Sequence, residues 1–279
     1  MQALVNGHTL FYDTHGQGRP ILLLHGGTGL DHTYFRPWLD PLGDQAQLIF
    51  SDLLGNGRSE RPASFAGITM ESWADDADGL RAYLGHEKII LLGHSFGGFI
   101  AQVYALRHPE RLAGLILCDT APALDYPEVT VANAQARGTP EQVQAVLGGL
   151  TNPASLEDDA DWRAAWKAIL PLYFHHYDPQ VAAAMDEQTH YSGRGFSHGF
   201  IHCLPTYNVS DRLSKISVPT LLLSGQDDWI TPPAYGVGRI HAAIPAAKEV
   251  LFEHSGHFPF IEEQQSFLNA VRAWLNDLP

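Results

Sequence analysis

The sequence predicts an α/β fold, with a mostly parallel sheet covered by helices on both faces and a helical segment inserted late in the chain. Three observations lead there. Short apolar runs such as Ile89-Ile90-Leu91-Leu92 contain no polar residue, as in strands buried on both faces. Between these runs lie stretches whose apolar residues recur at helical spacing. From about residue 123 to 210 the alternation lapses, and Trp, Tyr, His, Pro and Asp replace the apolar runs.

Residues 3–14 read as two strands joined at Asn6-Gly7, a strong hairpin signal. Residues 21–24 form a buried strand that runs into His25-Gly26-Gly27-Thr28-Gly29. A helix is expected over 34–42 and a strand over 47–51, followed by Asp52-Leu53-Leu54-Gly55-Asn56-Gly57-Arg58-Ser59. Trp73, Ala77, Leu80 and Leu84 share one face of a helix over 69–84. The strand at 89–92 breaks at Gly93-His94-Ser95-Phe96-Gly97. Phe99, Ile100, Val103, Tyr104 and Leu106 then continue as a helix to His108-Pro109. Residues 112–118 make the next strand.

Within the inserted segment, Trp162, Trp166, Ile169 and Leu170 mark one helix and residues 181–185 another. Ser192-Gly193-Arg194-Gly195 reads as a flexible connector. Strand 220–223, a helix near 233–243, strand 249–252 and a final helix over 259–275 restore the earlier rhythm. The expected division is a core of residues 1–122 and 211–279 and a helical cap of residues 123–210.

Composition narrows the class. A chain of 279 residues can bury one large core. Acidic residues outnumber Lys and Arg by 31 to 17, for a formal charge of −14. That charge repels phosphate backbones and anionic membranes, so neither nucleic acid nor membrane is an expected partner. No apolar run is long enough to cross a bilayer, and the first residues lack the basic and apolar regions of a signal peptide. Cys118 and Cys203 stand alone and read as reduced thiols. A cytoplasmic monomer or homodimer acting on a small molecule is the expectation.

The chemistry centres on Ser95. A strand-to-helix turn as tight as Gly93-His94-Ser95-Phe96-Gly97 has no room for a Cβ two residues either side of its apex, which accounts for Gly93 and Gly97. Such a turn lifts the Ser95 hydroxyl to a helix N-terminus, whose free N–H groups favour developing negative charge. A serine nucleophile needs a base, and the base needs an orienting carboxylate. In open parallel sheets these groups gather at the carboxyl ends of strands. Asp227 and Asp228 follow one strand there, and His254 and His257 follow the last.

The segments HGGTG, DLLGNGRS, GHSFGG, GQDDWITP and HSGHFPFIE resemble those of the α/β-hydrolase fold superfamily. HGGTG followed by LDHTYFRPWLDPL is most similar to the proline iminopeptidase-like group. The resemblance implies an eight-stranded, mostly parallel sheet with a helical cap inserted after the sixth strand. It implies Ser95 as nucleophile, Asp228 as acid, His257 as base, and an oxyanion hole from the backbone N–H groups of Gly27 and Phe96. In relatives the acid sits three residues after the glycine, which favours Asp228 over Asp227, and the histidine follows a Ser-Gly or Cys-Gly pair, which favours His257 over His254. Thr28 stands where that group usually has proline, and GHSFGG replaces its GGSWGG-like segment. GHSFGG is common among esterases, lactonases and other small-molecule hydrolases of the fold.

Other residues are weighed against this frame. Asp119 occupies the position where some members of the fold place the acid. His25 is expected to brace its loop, His94 to point away from Ser95, and residues 52–59 to be structural. His198, His202 and Cys203 superficially suggest a metal but lack a convincing partner set, so no metal and no cofactor is expected. Trp166 and Tyr173 are candidates for the pocket wall. Asp186 and Glu187 are candidates for holding a substrate amine, as cap carboxylates do in iminopeptidases. The leading expectation is acyl transfer on a small carboxylic ester or lactone. Release of N-terminal proline, acyl-homoserine lactone hydrolysis and a hydrolase-fold ligand receptor are the alternatives.

Overall fold

The computed structural model describes residues 1–278. The sheet has eight strands in the order β1-β2-β4-β3-β5-β6-β7-β8, and the pairings from β4 through β8 are parallel. β1 (Gln2–Val5) and β2 (His8–His15) form the antiparallel hairpin, turned at Asn6 and Gly7 with φ of 50° and 87°. β3 (Arg19–Leu24), β4 (Ala46–Ser51), β5 (Ile89–His94) and β6 (Leu112–Cys118) fill the centre, and β7 (Thr220–Gly225) and β8 (Lys248–Phe252) complete it.

The two-residue period of a strand explains why the apolar runs are continuous. Leu22 and Leu91 face one side of the sheet, with Trp73, Ile100 and Tyr104. Ile21, Leu23, Ile90 and Leu92 face the other, with Phe35, Phe267 and Trp274. α1 (Met70–Tyr83) and α2 (Phe96–Arg107) cover the first side. Thr69 caps α1 by accepting from the Ser72 N–H, while the Ser72 hydroxyl accepts from the Thr69 N–H.

Between β6 and β7 the chain is helical. α3 (Pro127–Arg137), α4 (Pro140–Thr151), α5 (Asp159–Ile169), α6 (Pro179–Gln188) and α7 (Gly193–His198) stack over the carboxyl ends of the strands. An antiparallel bridge between Ala123 and Asn208 brings the two ends of this segment together. α8 (Val237–Ala243), α9 (Pro259–Glu262) and α10 (Gln264–Asp277) follow β7 and β8. Among the described residues, no helix is long and apolar enough to cross a membrane.

Three local expectations change. Residues 34–42 hold no continuous helix but short 3₁₀ turns at His32–Phe35 and Asp40–Asp44. Pro37 lacks an N–H and pushes Arg36 into extended backbone, so the helical apolar spacing is cut in two. The expected final helix divides at Glu263, where the chain leaves helical geometry. Ser192-Gly193-Arg194-Gly195 is the capped start of α7 and a packed contact, with Ser192 Oγ accepting from the Gly195 N–H at 3.1 Å. A Cβ on Gly193 would lie 2.5 Å from the carbonyl oxygens of Leu156, Glu157 and Asp158. These glycines serve close approach, not flexibility. Gly193→Ala should therefore destabilise the protein by about 1–3 kcal/mol through overpacking. A melting temperature equal to wild type in a calorimetric scan would contradict that.

Candidate active site

Ser95 occupies the single residue between β5 and α2, with φ +54° and ψ −119°. A non-glycine residue is held there only when its surroundings fix it. The surroundings are visible. A Cβ on Gly93 would run into the Gly97 carbonyl, and one on Gly97 into the carbonyls of Leu24 and His25. The Ser95 carbonyl accepts from the Gly98 N–H and the Thr120 hydroxyl, both at 2.9 Å. Gly26 packs against the same turn, 2.7 Å from its would-be Cβ to the Ser95 Cβ.

His257 lies on the loop between β8 and α9, and its Nδ1–H donates to Asp228 Oδ2 at 2.8 Å. Both side chains are buried. Asp228 also accepts from the N–H groups of Ile230 and Thr231 and from the Thr231 hydroxyl. Burial works against the charge on Asp228, but His257 and these donors outweigh it and hold its pKa below the usual carboxylate range. With Nδ1 protonated toward Asp228, His257 Nε2 is free to act as a base.

The break after α9 acquires a purpose here. Glu262 accepts from the Gly256 N–H at 2.7 Å, and Glu263 from the His254 N–H and the Ser255 hydroxyl at 2.9 and 2.8 Å. The two carboxylates thus clamp the loop that carries His257. The His257 N–H donates to the Tyr173 carbonyl at 2.7 Å.

A second connection runs through Tyr34, which the sequence reading missed. The Gly26 N–H donates to the Tyr34 hydroxyl at 2.5 Å, and that hydroxyl bonds His94 Nδ1 at 2.8 Å. His94 Nε2 in turn bonds the His257 carbonyl at 2.8 Å. A carbonyl only accepts, so Nε2 carries the proton and Nδ1 accepts from tyrosine. Burial, then the neighbouring His257, push His94 far below the ordinary histidine range, so it stays neutral. His94 ties the Gly26 loop to the histidine loop, and it lines the same chamber as Ser95 and His257, its ring 4.7 Å from that of His257. An aromatic residue eight positions after Gly26 was the available signal, but nothing in the pattern identified its partner.

His25 Nε2 accepts from the Leu53 N–H at 3.1 Å, and Nδ1 bonds the Gly26 carbonyl at 2.9 Å. Residues 52–59 hold that loop from behind, with Asp52 bonded to the His32 ring at 2.6 Å and to the Arg58 N–H at 2.8 Å. Asp119, φ +44°, is buried and accepts from the Gly225 N–H at 2.8 Å. One acidic or imidazole atom from each of Asp119, Asp228 and His257 lies within 4.8 Å of the others. The imidazole proton of His257 goes to Asp228, and burial followed by the charge of Asp228 push the Asp119 carboxyl well up.

The amide N–H groups of Gly27 and Phe96 bond no acceptor among the described residues. Gly27 and Ser95 border both of two adjoining chambers. The smaller also includes His257, Tyr34 and His94, and the larger, of about 180 Å³, lies beneath the helical segment. Trp166 and Tyr173 line both chambers. Glu187 lines neither and is exposed, contrary to expectation. On α6 the inward positions are Ala182, Met185 and Asp186, which places Glu187 a further 100° round the helix. Asp186 is spent on Arg163 at 2.7 Å, Lys167 at 3.0 Å and the Tyr191 hydroxyl at 3.0 Å, which hold its carboxyl very low. His198 bonds the Ile68 carbonyl at 2.8 Å, and its ring sits 5.1 Å from that of His202.

A family model described as the alpha/beta hydrolase fold matches residues 19–264. The chain is a member of the α/β-hydrolase family. This hydrolase is 30% identical over 276 residues to a proline iminopeptidase of Lactobacillus helveticus, covering 92% of this chain and 90% of the relative. Among solved structures it is similar to a malate-bound thermophilic esterase from Thermogutta terrifontis, with TM-score 0.78 and 28% identity over 100% of this chain and 98% of that one. It is likewise similar to the enol-lactonase of Burkholderia xenovorans LB400, with TM-score 0.79 and 26% identity over 99% and 100% of the two chains.

Two outcomes follow for the hydrolase. Tyr34→Phe strands the Gly26 N–H and His94 Nδ1, so it should lower stability by about 1–3 kcal/mol and reduce kcat more than it raises KM. Equal kcat in a variant of lowered melting temperature would reduce Tyr34 to a packing role. Acid should also destabilise the fold. His25 and His94 have folded pKa values below the ordinary 6.5, because burial disfavours their cations. Their contribution is therefore complete above that value and lost as pH falls below it, by up to about 1.4 kcal/mol per histidine at pH 5.5. The Asp119 carboxyl, pushed up by burial and Asp228, contributes in the opposite direction. Urea unfolding of Asp119→Asn at pH 7.5 and 5.5 therefore measures the histidine effect, and equal free energies there would refute it.

Proposed function

We propose that this α/β hydrolase cleaves small carboxylic esters or lactones with apolar acyl groups, through an acyl-enzyme on Ser95. His257 Nε2 takes the Ser95 proton, and the serine oxygen attacks the substrate carbonyl. The Gly27 and Phe96 amides receive the oxyanion, aided by the positive end of α2, and Asp228 stabilises the imidazolium. His257 returns the proton to the leaving oxygen, and water attacks the ester of Ser95 to free the acid.

The observation that carries this reading is the wall of the acyl chamber. Among the described residues it has no Asp, Glu, Lys or Arg, and it is formed by side chains such as Phe99, Val146, Leu156, Trp162, Ile169 and Phe200. Its volume of about 180 Å³ suits a compact acyl group, since a 150 Å³ apolar cavity already admits benzene. The solved esterase and enol-lactonase point the same way.

The second reading, release of N-terminal proline, is favoured by the names of the sequence relatives. That substrate brings a protonated amine, which needs a carboxylate or an open path to water. Asp186 is neutralised by Arg163 and Lys167, and Glu187 faces outward. The ester reading is the better supported.

p-Nitrophenyl butyrate should be hydrolysed, and prolyl-p-nitroanilide should have kcat/KM at least about 100-fold lower, the order expected when a buried charge goes unpaired. Preferred turnover of the prolyl amide would replace this reading with the second. Ser95→Ala should lose at least about 10³-fold in kcat on the ester, with its melting profile retained.

A further inference from the structure

Gly149 stands where the backbone gives no reason for a glycine. It lies in the last turn of α4, and its φ is not left-handed. The helix closes farther on, at Asn152, whose N–H donates to the Gly148 carbonyl. Glycine weakens a helix relative to alanine, because its backbone has more freedom to lose. Packing does not require it either. Beyond its chain neighbours and its own helix backbone, a Cβ on Gly149 would meet one atom within 4 Å, Phe196 Cζ at 3.9 Å. Gly27, the other glycine of the chamber wall, differs on both counts. Its φ is +54°, and a Cβ there would lie 2.5 Å from Leu30 Cδ1.

What the missing side chain leaves is room in the acyl chamber. Ala145, Val146, Gly149 and Leu150 all line it, and residues three and four apart share a helix face, so this is the face α4 turns to the cavity. Phe196 lines the same cavity, with its ring stacked on Trp162 at 3.8 Å between centroids. A side chain at 149 would therefore enter the chamber beside a fixed ring. Gly148, one step round the helix, is exposed and outside the chamber. Ser95 and Phe96 border the cavity from the sheet and α4 borders it from the helical segment, so the space extends from the proposed nucleophile to Gly149. An apolar cavity of about 150 Å³ holds the six carbons of benzene, so about 180 Å³ accommodates a chain of similar size.

We infer that Gly149 is a specificity-determining residue, and that the preferred acyl group is a straight apolar chain of hexanoyl length whose end lies against α4 at Gly149. Each methylene that reaches apolar wall adds several-fold to binding, and a side chain at 149 would occupy the place of the last ones. The inference rests on the ester or lactone reading and adds the length of the acyl chain.

The test compares kcat/KM for p-nitrophenyl acetate, butyrate and hexanoate. In the wild type, hexanoate should exceed acetate by at least about tenfold. Gly149→Leu should lower that hexanoate-to-acetate ratio by at least about tenfold. Gly149→Ala should lower it by less while raising the melting temperature, since alanine favours the helix. Gly148→Leu makes the same change on the same helix outside the chamber, and should leave the ratio within about twofold of wild type. The ratio is read within each variant, so a misfolded fraction cancels. A wild type in which hexanoate does not exceed acetate, or a ratio untouched in Gly149→Leu, would overturn the inference and leave the ester reading standing. So would an equal loss in Gly148→Leu, which would trace the effect to a stiffer α4. A lower melting temperature in Gly149→Ala would overturn it as well, by showing that the fold needs the glycine. Turnover of none of the esters would overturn both.

Discussion

The left-handed backbone at Ser95 is the constraint on which the rest depends. A residue with a side chain is forced to φ +54° between a buried strand and a buried helix. It stays there only because β5 and α2 are locked on either side, and that locking requires backbone contacts at Gly93 and Gly97 that no Cβ permits. The same turn sets the Ser95 hydroxyl at the start of α2 beside the unbonded Phe96 amide, and leaves room for Gly26 to pack against it. The placement of the proposed nucleophile and anion site and the loop approach thus follow from one strained residue.

The loops around that turn are tied to each other more than to solvent. Tyr34 and His94 link the Gly26 loop to the carbonyl of His257, while Glu262 and Glu263 hold the amides of the His254–Gly256 stretch. Loops normally bring mobility to a site, and these bonds oppose it around His257, the proposed base. The helical segment joins the same scheme, because the Gly29 carbonyl accepts from the Trp162 indole at 2.9 Å and the Ser192 N–H at 2.9 Å. Moving the cap would therefore disturb the oxyanion loop.

Charge is distributed by the same logic. The chain carries a formal charge of −14, yet its acidic groups are kept from the acyl chamber. Of the two carboxylates expected to hold an amine, Asp186 is occupied by two cations and a tyrosine and Glu187 is exposed. What is left in the wall is mostly aromatic and aliphatic surface.

The sequence by itself determined the strand runs, the helix faces, the tight turn at Ser95 and the order of Ser95, Asp228 and His257. These depend on neighbours within a few residues, where burial period and backbone sterics act directly. It could not decide which apolar spacing survives a proline, as residues 34–42 show, nor whether Gly193 and Gly195 bend or pack. It gave Glu187 an inward role that helical phase denied. The Tyr34–His94 link, the Glu262 and Glu263 clamp and the pairing of Asp186 all join residues distant in the chain or equally free to face water. Only the tertiary structure decides such pairings, because a polar side chain takes its partner from whatever the fold brings within hydrogen-bond reach, and no local pattern records that choice.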